Sequence, residues 1–196
     1  SLFDENHGAH VAANNNMGQA YNKLGDYEKA LKFSLESIVK TSSESRNYAN
    51  RIQNLAFIYM KLGDFPKAEQ SYDLALKAME KTLGVAHPDY GKLLNNVGKL
   101  SFQMGDFDAA LDFFDRALVN FLENFDENHK EYGYYLNDYA KTLIELGKIE
   151  EAILLMKKNL QIAESNEKTN DQAFFNKQYG LASAYISNKD FENALP

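Results

Sequence analysis

The sequence predicts an all-α fold, a solenoid of stacked helix pairs, and three observations lead there. A four-residue marker recurs at a nearly constant interval. The residues before each marker show helical apolar spacing. A small residue recurs at one fixed place in each helix of the pair.

The marker is Leu24-Gly25-Asp26-Tyr27. It returns as Leu62-Gly63-Asp64-Phe65, Met104-Gly105-Asp106-Phe107 and Leu146-Gly147-Lys148-Ile149, with a degenerate form at Asn188-Lys189-Asp190-Phe191. The steps between marker positions are 38, 42, 42 and 42 residues. Self-similarity at such a period signals a repeat architecture. Repeats are expected at about 7–44, 45–86, 87–128, 129–170 and 171–196, the last one truncated.

Each unit reads as two helices. Before Gly63 stand Ile52, Leu55, Ala56 and Tyr59; before Gly105 stand Leu94, Val97, Gly98 and Ser101. Offsets of three, four and seven put these on one helix face. The marker glycine adopts the left-handed conformation that ends a helix at low cost. The aspartate after it (26, 64, 106, 190) suits the N-cap of the next helix, and Pro66 suits a first turn. The second helix carries Ala30, Ala68, Ala110, Ala152 and Ala194; the first carries Gly18, Ala56, Gly98, Ala140 and Ala182. Small residues at these places let two helices approach to about 8–10 Å. One pair cannot bury its apolar face alone, whereas stacked pairs can.

Composition narrows the classes. The 196 residues suit one domain or one repeat array, with 44% hydrophobic and 25% charged residues. The formal net charge of −7 argues against a nucleic-acid partner, which calls for a basic footprint. With no cysteine there is no disulfide framework, thiolate metal site or cysteine nucleophile. No apolar run approaches the roughly 18 residues of a membrane span, so no membrane insertion is expected.

The unit resembles the tetratricopeptide repeat, in the 42-residue form of kinesin light chains. The family's Leu-Gly-x-x-Tyr is matched by Met17-Gly18…Tyr21, Leu55-Ala56…Tyr59 and Leu181-Ala182…Tyr185. Its alanine–aromatic–alanine second helix is matched by Ala68, Tyr72, Ala75 and by Ala110, Phe114, Ala117, and the stretch HPDYGKLLNNVGKL at 87–100 is similar to the light-chain type. The resemblance covers essentially the whole chain and implies a right-handed α–α superhelical solenoid. Departures are Ser34 and Ser37 in the first repeat and Met156 and Asn159 in the fourth, where bulk and alanine are expected. The fifth repeat stops at Pro196, early in its second helix, so a longer parent chain or another molecule over that end is expected.

One short motif invites a chemical reading. FDENH stands at 3–7 and again at 125–129. His7, His87 and His129 each precede their marker glycine by 18 residues, with Ser45 and Asp171 at the same phase of the other repeats. A metal site needs two or three ligands about 2 Å from one ion, whereas equivalent positions in adjacent repeats lie roughly 10 Å apart. The histidines are therefore expected at helix starts, with Asp89 and Glu131 near the positive dipole end. Metal and cofactor are both expected to be none. The acid pairs Asp4-Glu5, Asp126-Glu127 and Glu150-Glu151 read as solvated charge. There is no phosphate loop, nucleophile elbow or HExxH, so no enzyme is expected.

Function is expected on the unpacked face of the first helices, which the resemblance places on the concave wall. One phase carries Asn15, Gln53, Asn95 and Asn137, all amides. A carboxamide donates and accepts, so it can hold an extended peptide backbone. Lys99 and Lys141, with Lys92, would favour an acidic residue or a C-terminal carboxylate. Phe57, Met60, Phe102 and Ile144 would supply apolar pockets. The expected function is protein–protein interaction, with a peptide or partner segment in the groove, acidic or carrying apolar anchors. Two alternatives stand beside it: a peptide-sensing regulatory domain of a larger protein, and self-association through the C-terminal end.

Overall fold

A computed structural model describes residues 2–39, 41–42, 46–166 and 172–194. Ser45, Asp171 and Pro196 lie outside the described residues, as does the side chain of His7. Among the described residues there are nine α-helices and no strand. They are α1 (Leu2–Lys23), α2 (Tyr27–Val39), α3 (Arg46–Leu62), α4 (Phe65–Leu83), α5 (Pro88–Met104), α6 (Phe107–Asn124), α7 (Tyr132–Glu145), α8 (Ile149–Asn166) and α9 (Gln172–Ser187). The chain divides into two compact units, Ser1–Leu100 and Ser101–Pro196.

In the first unit α1 packs along α2, α3 packs along α4, and α3 also meets α1 and α2. In the second unit α7 packs along α8, with α6 against α7 and α9 against α8. The corner within each pair is built one way. Gly25, Gly63, Gly105 and Gly147 sit at φ of 77°, 78°, 81° and 74°. The next backbone N–H then returns to a carbonyl five residues back: Asp26 to Tyr21, Asp64 to Tyr59, Asp106 to Ser101 and Lys148 to Leu143, at 3.0, 3.0, 3.0 and 2.8 Å. This Schellman geometry satisfies carbonyls that a helix end otherwise leaves open. At the degenerate marker Lys189 takes the same corner at φ 60°, where a side chain is strained.

The aspartates then cap the second helices. Asp26, Asp64 and Asp106 accept the backbone N–H of Lys29, Lys67 and Ala109 at 3.1, 3.3 and 3.0 Å. Lys29 and Lys67 turn back onto the same carboxylates at 2.7 and 2.6 Å. Those contacts hold Asp26 and Asp64 below the usual carboxylate range, by side-chain hydrogen bonding first. Each lysine also lies over a tyrosine ring of the preceding helix, Tyr21 at 5.3 Å and Tyr59 at 5.4 Å. In α8 the capping place holds Lys148, which has no side-chain acceptor to offer.

The predicted small residues lie at the helix crossings. Ala30, Ala56, Ala68, Ala110, Ala140 and Ala152 are all 0% exposed, and Gly18 and Gly98 are buried. Two of the departures meet glycines of the first helix. A Cβ on Gly18 would stand 2.7 Å from the Oγ of Ser34. Ser37 is buried and donates to the carbonyl of Ser34 at 2.8 Å. A Cβ on Gly133 would overlap Oδ1 of Asn159, which is buried with no hydrogen-bond partner for that atom. Tyr72 is fully buried and its hydroxyl has no partner either; burial pushes that hydroxyl well above the usual tyrosine range.

Two tests follow from these contacts. Gly133→Ala is expected to destabilise by about 1–3 kcal/mol through overpacking, and Asn159→Ala in the same chain should recover most of that loss. A urea double-mutant cycle measures the coupling, and simple additivity would refute the contact. Tyr72→Phe should stabilise by about 1 kcal/mol at neutral pH, because an unpaired buried hydroxyl is removed. The folded-state value of Tyr72 lies above its unfolded value of about 10. As pH rises past that unfolded value, the unfolded chain releases the proton first and the folded state loses stability. Thermal melts up to pH 11 should show a steeper alkaline decline in the wild type than in Tyr72→Phe.

Candidate functional site

The histidines serve the helix starts. Nδ1 of His87 accepts the backbone N–H of Asp89 at 3.1 Å, just ahead of and within the first turn of α5. Nδ1 of His129 accepts the N–H of Glu131 at 3.2 Å, ahead of α7. Their carbonyls accept from Tyr90 and Tyr132, each at 2.9 Å. The imidazole of His129 packs on Phe121 and Phe125 at centroid distances of 5.7 and 5.2 Å. Within the same loop Asp126 accepts the N–H of Asn128 at 2.8 Å. FDENH at 125–129 is thus a hand-over between α6 and α7. Residues 3–7 instead fall inside α1, which corrects the expectation that both copies mark a hand-over. The five letters do not impose a turn; at 125–129 the aromatic packing of His129 holds it. Among the described residues, no group of three or more His, Asp and Glu is placed to hold a metal ion.

The open faces of the first helices carry the other candidates, and each unit holds its own share. In the first unit Asn15 on α1 and Gln53 on α3 are half-buried, and Asn95 on α5 is deeper, at 7% exposure. Phe57 is half-buried with the Lys61 ammonium 5.2 Å above its ring. Lys99 is half-buried. Met60 is 4% exposed, so it is spent in the packing of α3 and offers no open pocket, against expectation. In the second unit Asn137 is half-buried and Lys141 exposed on α7. Phe102 meets Phe107 edge-on at 5.4 Å. Ile144 is half-buried and packs against two core groups, Ala140–Leu143–Ala152 and Ile153–Ala184–Tyr185.

Further residues of this face were not singled out from sequence. Asn16, Asn54 and Asn96 each follow an amide of the first row and are exposed or half-buried. The doublets Asn15-Asn16, Gln53-Asn54 and Asn95-Asn96 were readable as such. Extending the phase by 42 residues from Asn137 reaches Tyr179, which is 78% exposed, and Tyr134 on α7 is 60% exposed. The segments 12–23, 50–61 and 92–100 contain no Asp or Glu, in a chain of formal net charge −7, and carry Lys23, Arg51, Lys61, Lys92 and Lys99. Of these Arg51 is turned toward the end of α2, donating to the carbonyl of Ser37 at 3.2 Å; desolvation lowers its pKa from the usual arginine value.

Helix pairs with small residues at every crossing, glycine corners and aspartate caps define a helical-repeat interaction scaffold. Models of the tetratricopeptide repeat match residues 48–123 and 91–165, and a second such model matches residues 11–38. The chain belongs to the tetratricopeptide-repeat family. No curated protein matches it in sequence.

Among solved structures it is similar to a putative kinesin light chain with nearly identical TPR-like repeats from Podosopora anserina, in its Q17M form, at 18% identity and TM-score 0.80, over 96% of this chain and 91% of that one. It is similar to BtubC (BKLC) from P. vanneervenii at 20% identity and TM-score 0.83, over 96% and 76%. It is also similar to pilF from Pseudomonas aeruginosa at 15% identity and TM-score 0.70, over 96% and 73%. Identities this low carry the fold alone, an all-α repeat solenoid. Among the described residues no helix is long and apolar enough to cross a membrane.

The histidine cap is testable on its own. His129→Ala should lower stability by about 1–2 kcal/mol, and His129→Asn should lose less, because asparagine restores the acceptor but not the ring packing. Urea melts of the two variants decide; equal losses would assign the whole effect to the rings.

Proposed function

We propose that the chain binds an extended, acidic segment of a partner protein along the open faces of its first helices, the concave wall of the family's solenoid. The observation that carries the reading is the absence of carboxylates from segments 12–23, 50–61 and 92–100 in an acidic chain. Such a face attracts negative charge while the rest of the molecule repels it, which favours encounter in one place. Asn15 and Gln53, with the amides beside them, would pair with main-chain groups of the partner, whereas Asn95 lies too deep at 7% exposure to present its carboxamide. Lys99 would meet an acidic side chain or a terminal carboxylate, and Phe57 would border an apolar side chain. In the second unit Asn137 and Lys141 would play the same parts, with Phe102 at the edge. The reading gives the chain no catalytic step; its work is to hold a partner.

A peptide array probed with the wild type and with a Gln53→Ala/Lys99→Glu variant of equal helicity tests the reading. Acidic peptides should bind selectively, lose about tenfold or more in the variant, which corresponds to at least about 1.4 kcal/mol, and weaken with added salt. Identical spots for both proteins, or no preference for acidic peptides, would overturn it.

A further inference from the structure

Helix α6 carries most of the chain's excess charge on its open side. Residues 106–127 hold seven carboxylates, one arginine and no lysine, in a chain whose formal net charge is −7. The other second helices with their caps are near balance: 26–41 and 148–166 hold three acids and three bases each, and 64–85 holds four acids and three bases. Asp108, Asp112, Asp115, Val119 and Leu122 follow at steps of four, three, four and three, which puts them on one helix face. All five are exposed, Val119 at 54% and Leu122 at 45%.

Little inside the chain answers this charge. Arg116 pairs with Asp112 at 3.3 Å and turns over the Phe113 ring, and Lys158 pairs with Glu127. Asp106 is spent as the cap of α6. Among the described residues no cation lies within ion-pair distance of Asp108, Asp115 or Glu123. The field of the face reaches the next helix: burial first, and then the negative charges of Asp115 and Glu151, hold the Tyr139 hydroxyl of α7 above the usual tyrosine range. A row of carboxylates alone is a solvated face. This one differs in the two large apolar side chains at its middle, left open between Asp115 and Glu123.

We propose that this face of α6 docks a basic amphipathic helix of a partner protein. Apolar side chains of that helix cover Val119 and Leu122, and lysines or arginines to either side of them meet Asp108, Asp115 and Glu123. From Asp108 to Leu122 the face runs straight for about 21 Å at 1.5 Å per residue, which matches about four turns of a helix laid along it. Exposed ion pairs contribute little one by one; here they steer encounter and fix register, while the apolar contact holds the partner in place. Nucleic acid and anionic lipid surfaces carry the sign that this face repels. A second copy of this chain is a poor source, since none of its second helices carries a net positive charge. The site is on a different helix from the acid-free faces and does not depend on the reading given to them.

The probe is a designed alanine-based peptide of about five turns, bridged so that it is helical when free. It carries two leucines one turn apart, with lysines before and after them on the same face. A control of the same composition carries its lysines on the face opposite the leucines. Both are titrated against the full chain by calorimetry, with amide hydrogen exchange to locate the contact. Saturable one-to-one binding of the first peptide is expected, with new protection of α6 and an affinity that falls as salt is added. The control should bind at least about tenfold more weakly. Two variants of the chain, Val119→Gln/Leu122→Gln and Asp108→Asn/Asp115→Asn/Glu123→Gln, should each lose at least about tenfold at unchanged helicity, because all the altered side chains are exposed. No binding, equal binding of the two peptides, undiminished binding to either variant, or protection elsewhere than on α6 would overturn the proposal. A concentration-dependent dimer in light scattering that the charge variant abolishes would also overturn it and give the face to a second copy.

Discussion

Ala30, Ala68, Ala110 and Ala152 have no surface left to solvent, and the close helix crossing they permit is the constraint on which the rest of the molecule depends. Two helices meet at about 8 Å only where neither carries bulk at the contact. Once that crossing is set, the aromatic residue one turn on must lie inside the pair, as Tyr72 and Phe114 do at 0% and 1% exposure. In the first repeat Ser34 stands at the aromatic place and meets Gly18, and in the fourth Asn159 stands at the alanine place and meets Gly133. Three asparagines, Asn95, Asn120 and Asn159, are buried in the core, as is the unpaired hydroxyl of Tyr72.

The corners serve that crossing. A left-handed residue, a returning N–H and a capping carboxylate turn the chain within four residues, so the second helix falls back along the first with little freedom. Lys29 and Lys67 add an ion pair and a ring contact at the surface, where solvent screening leaves them a minor share. The loop before α7 is built on another principle. There His129 is wedged on two phenylalanines and supplies the cap acceptor from its ring. The histidine of this acidic pentapeptide thus caps a helix start, as its place in the repeat led one to expect.

Because packing consumes one face of each first helix for its partner and another for its neighbour, only a narrow strip stays open. That strip is rich in amides and, in the first unit, free of acids. Charge that the chain carries in excess elsewhere is kept off it.

How much of this was legible in the sequence follows from what kind of property each feature is. Helix content, the corner glycines, the capping aspartates and the small residues at crossings depend on local backbone energetics and on period, and both are written along the chain. The amide row and its lysines were legible as a phase, because residues three to four apart share a helix face. Depth was not. Met60 occupies the same phase as Phe102 and Ile144, yet it alone is drawn into the core at 4% exposure, because burial depends on what the neighbouring helix leaves uncovered. The partners of the unusual residues were equally hidden: that Gly133 meets Asn159, or that His129 rests on Phe121, depends on residues brought together from different helices. Sequence by itself determined the repeat, its corners and its family; tertiary packing decided which side chains of each face remain free to meet a partner, since only the assembled helices settle how little room is left between them.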